Sequence, residues 1–294
     1  MQNIAYYILL GLFKAIGALP LRVLYVLSDV LYVLLFCVAR YRRKVVDRNL
    51  MLVFPDETPA FRRRVRRRFG RYMCDLIVET VKLASASTAY MRRRLSYANT
   101  ELLEKLFALN KTILVVTSHY GNWEWMATTL YVERFSFTTL YHVLHNPVFE
   151  RLMSYIRTRF GMRIVSMKQF YRPFIASVRS GRTDLFGFNA DQAPKREGDQ
   201  RTIQFMGRET AVYTGVERLA RQYGLPVVYM SIQRPRRGYY HVEARPVAED
   251  GSAVPPGQIT ATTFAELEKD IRRAPEFWLW SHRRWKRRND VPAR

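Results

Sequence analysis

From residue 112 to residue 274 the chain alternates short apolar runs with longer amphipathic ones, and this rhythm narrows the fold more than any other feature. TILVVT (112–117), TTLYHVL (138–144), RIVSM (163–167), TDLFGFNAD (183–191), LPVVYMSI (225–232) and GYYHVEARPV (238–247) read as strands. NWEWMATTLYV (122–132), PVFERLMSYIRTRFG (147–161), YRPFIASVRSG (171–181), VYTGVERLARQYG (212–224) and TTFAELEKDIRRA (262–274) read as helices. Gly161, Gly181 and Gly224 supply helix stop signals. Strands joined through helices return in the same direction. The pattern therefore predicts an α/β fold with a mixed, largely parallel central sheet flanked by helices. Ligands in such sheets bind beyond the carboxyl ends of the strands; His119 falls just past one predicted strand and Asp191 at the end of another.

Residues 1–39 follow another rule. IAYYILLGLFKAIGA (4–18) and LRVLYVLSDVLYVLLFCVA (21–39) are almost wholly apolar, and the second approaches the ~20 residues that cross a bilayer core. Asp29 sits near its middle, where a carboxylate costs ~2.5–3.5 kcal/mol on insertion scales. The segment reads as a spanning helix, as two helices lying in one leaflet, or as a buried hairpin. MQN carries no basic residue and no small-x-small site follows, so a cleaved signal peptide is not expected. The basic cluster RYRRKVVDR (40–48) predicts that the chain after the anchor faces the cytoplasm. A helix is expected over 58–83, opened by Thr58 and Pro59, with Phe61, Val65, Phe69, Tyr72, Met73, Leu76 and Ile77 on its apolar face. Six arginines at 62–68 occupy the other positions, where they can meet lipid headgroups or simply water.

Lys and Arg number 48 against 25 Asp and Glu, a net charge of +23. Arginine forks bind phosphates and carboxylates in bidentate fashion, so an anionic partner is expected: nucleic acid, anionic lipid or an acidic protein. No nucleic-acid-binding module is recognisable, and the apolar N-terminus argues against one. Cys37 and Cys74 suggest neither a disulfide framework nor a zinc site.

After the first of these strands comes SHYGNWEW (118–125). Asn122 suits a helix N-cap, which puts Glu124 in the first turn, where it can complement the helix dipole. His119 and Glu124 can equally form a relay in which the carboxylate orients the imidazole and the imidazole takes a proton from a hydroxyl. No G-x-S-x-G elbow or comparable protein nucleophile accompanies them, which suggests direct attack by an acceptor hydroxyl.

HYGNWE (119–124), FNADQAP (188–194), FMG (205–207) before AVYTGVERLAR, and the C-terminal APEFWLWSHRRWKRR (274–288), in that order, resemble the bacterial lipid A biosynthesis acyltransferases over nearly the whole chain. The resemblance implies a membrane anchor at 1–39 and an acyltransferase domain at 40–294. It implies transfer of an acyl chain from acyl carrier protein to a hydroxyl of an anionic lipid A precursor, at the cytoplasmic face of the bacterial inner membrane, without a metal or cofactor. His119 would be the base and Glu124 its partner. Asn122, His142, Asp191, Gln192, Arg283 and Arg284 would bind substrate. His142 stands where many relatives carry the arginine of a Tyr-Arg-Pro sequence, and Asp191 can bind substrate or cap a turn. Trp278, Trp280 and Trp285 with Arg283 and Arg284 suit a membrane interface or, equally, a packed core. Acyltransferases acting on another glycolipid, phospholipid or aminolipid are the alternatives, although no EGTR-like phosphate motif is present. The arginines at 62–68, 92–94 and 283–288 are candidate docking sites for the acidic carrier protein.

Overall fold

A computed structural model describes residues 2–128, 135–194 and 200–285. The expected helix over 122–132 and the basic run to 288 lie partly outside the described residues.

The N-terminal apolar runs form α1 (Gln2–Ala18) and α2 (Leu21–Tyr32), the latter continued by a π-type segment Val33–Val38. Both pack along α4 (Pro59–Leu83). Gly17 allows the first approach, since a Cβ there would lie 2.6 Å from the Val81 carbonyl oxygen. Leu21, Leu24 and Ser28 are buried, whereas Ile4, Ile8, Leu12, Val26, Val30 and Val33 are at least half exposed. Between α2 and α4 lies α3 (Arg43–Val53). The helix α4 begins as its sequence requires, with the Thr58 hydroxyl accepting from the Phe61 N–H at 3.1 Å. Its apolar face buries Val65, Phe69, Tyr72 and Leu76, while Ile77 is 43% exposed.

The short helix α5 (Thr88–Arg92) leads into strand β1 (Leu95–Ala98), and α6 (Thr100–Phe107) precedes β2 (Ile113–Thr117). The remaining sheet strands are β3 (Phe137–Tyr141), β4 (Arg163–Ser166), β5 (Leu185–Asn189), β8 (Val227–Arg236) and β9 (Tyr239–Ala248). Among the described residues the sheet order is β1-β9-β8-β2-β5-β3-β4. Strands β4, β3, β5, β2 and β8 run parallel, β9 returns antiparallel to β8, and β1 pairs parallel with β9. The mixed, largely parallel sheet expected from the sequence is present. Ile113, Leu114, Val115 and Val116 of central β2 are at most 1% exposed, which explains their unbroken apolar run. Helices α7 (Pro147–Thr158) and α8 (Tyr171–Ser180) make the crossovers to β4 and β5, and α9 (Gly215–Tyr223) that to β8; α10 (Gln258–Arg273) also packs against β8.

Two local expectations shift. The strand read to residue 144 ends at Tyr141. Val212 and Tyr213, read as a helix start, belong to β7 (Arg208–Tyr213) of a hairpin with β6 (Gln200–Phe205). Met206 and Gly207 make its two-residue turn with φ of 54° and 71°, the left-handed pair that hairpin turns demand.

Parallel pairing aligns the carboxyl ends of β2, β3, β5 and β8 along one edge. The β8–β9 turn carries Arg237, which reaches Asp29 of α2 at 2.8 Å and Asp75 of α4 at 2.5 Å. The apolar N-terminal helices are thereby fastened beside the edge where His119 emerges.

Candidate active site

The site is set by strand register. Thr117 of β2 pairs with Asn189 of β5, and His119 and Asp191 each lie two residues further on. Adjacent strands run ~4.8 Å apart, so the two side chains start as neighbours. His119 Nδ1 lies 2.7 Å from Asp191 Oδ1. The second Asp191 oxygen accepts from the Trp278 indole N–H at 2.9 Å. Asp191 is 3% exposed and His119 16%. Burial disfavours the imidazolium, but the adjacent Asp191 carboxylate outweighs it and raises the His119 pKa above the ordinary 6.5. Burial likewise opposes ionisation of Asp191, and the charge and hydrogen bonds of His119 and Trp278 overcome it, holding the carboxyl below its usual 3.8.

These contacts define the tautomer. With Nδ1–H donating to Asp191, Nε2 carries the lone pair, and the Gln192 amide nitrogen stands 3.2 Å from it. A hydroxyl replacing that amide would meet a lone pair whose basicity Asp191 supports. The Trp123 ring packs against the imidazole in a T-shaped arrangement, 5.1 Å between ring centres.

Glu124 is placed elsewhere. Its two oxygens receive Arg157 of α7 in bidentate fashion, Nε at 2.9 Å and Nη2 at 2.6 Å. The carboxylate bonded to His119 is thus Asp191, and the Glu124 charge also helps to raise the His119 pKa. The expected His119–Glu124 hydrogen bond is corrected on this point: the guanidinium fork satisfies both Glu124 oxygens. The pair, with side chains 10% and 23% exposed, joins the segment after His119 to α7.

The loop itself is built to close tolerance. Gly121 has φ +61°, and a Cβ there would sit 1.9 Å from the Ile232 carbonyl oxygen. Gly121 N–H donates to Phe277 at 3.0 Å, and Leu279 N–H to the His119 carbonyl at 3.1 Å, so the C-terminal segment straps the loop. Asn122 caps as its sequence suggests, Oδ1 accepting from Trp125 N–H at 3.1 Å. It is fully buried, and its amide donates to Glu79 at 2.7 Å. This position inside the protein disagrees with a substrate contact. Glu79, itself fully buried, also accepts from Tyr25 at 2.7 Å and Tyr240 at 2.6 Å, and burial raises its pKa. Arg234 lies 3.6 Å from Glu79 and 2.7 Å from Asp75. Sequence pattern gave no hint of this network, because its members are spread from residue 25 to residue 240.

His142 lies exposed just beyond β3, on the same edge as the site. Arg283 is exposed. Arg284 is 1% exposed and donates to the Ala211 carbonyl at 2.7 Å, so it packs inside rather than facing a ligand. Trp278, Trp280 and Trp285 are at most 2% exposed and lock together edge-to-face, 4.8 Å between the first two rings. Each indole N–H finds an acceptor, in Asp191, Pro275 and Thr210 respectively. The interfacial reading of this block gives way to a packed core.

A family model described as bacterial lipid A biosynthesis acyltransferase matches residues 1–287. The chain is 22% identical over 247 residues to a lipid A biosynthesis acyltransferase of Haemophilus influenzae, covering 82% of this chain and 75% of that protein. It is 25% identical over 292 residues to a lipid A biosynthesis lauroyltransferase of Escherichia coli, covering 97% and 92%. Among solved structures, a 1-acyl-sn-glycerophosphate acyltransferase from Thermotoga maritima is similar at 15% identity over 85% of this chain and 96% of that one, with a TM-score of 0.36.

Proposed function

The chain belongs to the bacterial lipid A biosynthesis acyltransferase family, and we propose that in its reaction His119 is the general base, oriented by Asp191. Nε2 takes the proton of an acceptor hydroxyl as its oxygen attacks the carbonyl carbon of an acyl thioester. The tetrahedral intermediate collapses with cleavage of the C–S bond, and the imidazolium returns the proton to the leaving thiolate. The observation that carries this reading is the 2.7 Å contact between His119 Nδ1 and buried Asp191, which leaves Nε2 as the lone-pair nitrogen. Glu124 and Arg157 hold the loop, and through it the imidazole, in position.

The acceptor is a lipid A precursor and the donor is acyl carrier protein, whose acidic surface suits a chain of net charge +23. The protein works at the cytoplasmic face of the inner membrane. Support comes from the exposed apolar residues of α1 and α2, fastened beside the His119 edge. Leu21–Val38 is long and apolar enough to cross a bilayer, with 17% of it buried. Asp29, however, is tied to Arg237 of the catalytic body, which favours a segment lying in one leaflet.

Mass spectrometry of lipid A from cells with and without the gene tests the activity. An acyl mass that disappears on deletion and returns with the wild-type gene, but not with His119→Ala, is the expected result. Unchanged lipid A with an altered phospholipid or aminolipid would assign a different acceptor.

A further inference from the structure

A groove between α3 and the C-terminal segment takes no part in the chemistry above. It encloses about 1000 Å³ and is lined by Arg40, Arg42, Arg43, Lys44 and Arg283, with His282 among them. An adjoining recess brings Arg48 beside Lys44 and Arg283. The carboxylate lining the groove, Asp47, is engaged by Arg66 at 2.5 Å and by Arg43 at 3.6 Å.

The cations are gathered there against local preference. Arg40 and Arg42 adopt φ of 51° and 47°, a left-handed backbone that branched or long L side chains seldom take. Such strain persists where the surroundings impose it, and it concentrates at functional sites. Helix α3 then opens with Arg43 and Lys44 and has no acidic residue in its first turn. That is the positive end of the helix dipole, where cations are disfavoured and anions favoured. The walls are also pinned: Arg42 donates to the Ser281 carbonyl at 2.9 Å, and the Asn49 amide to those of Trp280 and His282 at 2.8 Å each. The mutual repulsion of the lining cations is therefore held in place, and an entering anion relieves it.

We propose that this groove binds a phosphate group of the acceptor and so selects which hydroxyl reaches His119; the proposal rests on the acyl-transfer reading given above. Guanidinium forks match phosphate oxygens, and the volume is that of a site for a sugar-phosphate headgroup rather than a lone ion. The groove is coupled to the base through a short path. His282 Nε2 accepts from the Ala193 N–H at 3.3 Å, and the neighbouring Gln192 amide nitrogen is 3.2 Å from His119 Nε2. A phosphate anchored beside His282 holds the rest of its molecule at a fixed reach from that nitrogen.

The test uses the full-length protein in neutral detergent micelles, with a lipid A precursor before and after enzymatic removal of its phosphates. In Lys44→Gln/Arg283→Gln, KM for the phosphorylated acceptor rises about tenfold or more while kcat stays within about twofold, the pattern of lost binding rather than lost chemistry. With the dephosphorylated acceptor, wild type and variant share one KM, already raised. Inorganic phosphate competes with the phosphorylated acceptor in the wild type and loses that effect in the variant. Equal KM changes for both acceptors, or none for either, would overturn the proposal. So would a loss of binding to phosphatidylglycerol vesicles that parallels the KM rise, which assigns the cations to the bilayer surface. If the wild type acylates neither acceptor, the acyl-transfer reading fails. The groove is then judged by equilibrium binding of the two acceptors to wild type and variant, and equal affinities refute it.

Discussion

Replacing Asp191 by asparagine separates the two carboxylates that the loop brings near His119. Two side-chain donors converge on Asp191, the imidazole Nδ1–H at 2.7 Å and the Trp278 indole N–H at 2.9 Å. A carboxylate accepts from both, whereas an amide has one oxygen. In Asp191→Asn, an oxygen turned to Trp278 points the NH2 group at His119 and drives the ring to the opposite tautomer, with its proton on Nε2. The reactive lone pair is lost and the charge that supports it disappears. General-base catalysis contributes about 10²–10⁴-fold, so kcat should fall roughly 10³-fold, about 4 kcal/mol of barrier. The pH profile gives a second, independent readout. The base must be neutral, and Asp191 raises its pKa above 6.5, so the wild-type kcat/KM rises with pH along a limb centred above 6.5. Without the carboxylate, burial dominates and the limb moves to lower pH. The same contact links the pair to stability: the contribution of His119 is lost as pH rises through its raised pKa, and that of Asp191 as pH falls through its depressed one. Transfer of labelled acyl chains in micelles, followed from about pH 5 to pH 9, spans the limb around the ordinary histidine value. Activity within threefold of wild type in Asp191→Asn, or an unmoved acidic limb, would refute the orienting role.

Glu124→Gln should lower kcat at least tenfold less than Asp191→Asn, because a neutral amide still accepts one Arg157 hydrogen bond; Glu124→Ala, which strands the partly buried Arg157, should cost toward the low end of ~3–5 kcal/mol in urea unfolding. Gly121→Ala should destabilise by more than ~2 kcal/mol and reduce soluble yield, since the backbone is left-handed and the new Cβ meets the Ile232 carbonyl; an unchanged unfolding midpoint would contradict the loop geometry. Arg92→Glu with Arg93→Glu should raise KM for acyl carrier protein and leave kcat largely intact, with the effect shrinking as salt increases; an unchanged KM removes that surface. Deleting residues 1–39 should yield an aggregating protein rather than a soluble domain, because Tyr25 and Ser28 satisfy the buried Glu79 and Asp75; a folded, monodisperse truncation would show that the body does not need the N-terminal helices.

What could be read in the sequence and what could not follows the range of each interaction. The alternating pattern that foretold the sheet is local, and the central strands β2, β5 and β8 show their burial in their own residues. The Met206-Gly207 turn is equally local, but the helical look of the residues after it masks β7. His119 was legible because it follows a buried strand end. Asp191 was legible on the same ground, but its bond to His119 was not, because the two lie 72 residues apart and become adjacent only through the β2–β5 register. Glu124, five residues on, was the nearer carboxylate in sequence, yet Arg157 from a crossover helix takes both its oxygens. The tryptophan block shows the same limit in reverse. Composition could not separate interface from core, and three satisfied indole N–H groups decide for the core.

The same long-range contacts explain why the site occupies this edge of the sheet. Trp278 both bonds the Asp191 carboxylate and pairs through its backbone with Tyr120, next to His119. The C-terminal segment therefore fixes the imidazole's support and, three residues later, offers Ser281 to Arg42 across the basic groove. Three residues beyond His119, Asn122 hangs from Glu79, which Tyr25 of the apolar α2 also holds. One loop is thus gripped by the element that reaches the basic groove and by the element that carries the exposed apolar face. This shared attachment fixes His119 relative to both elements at once.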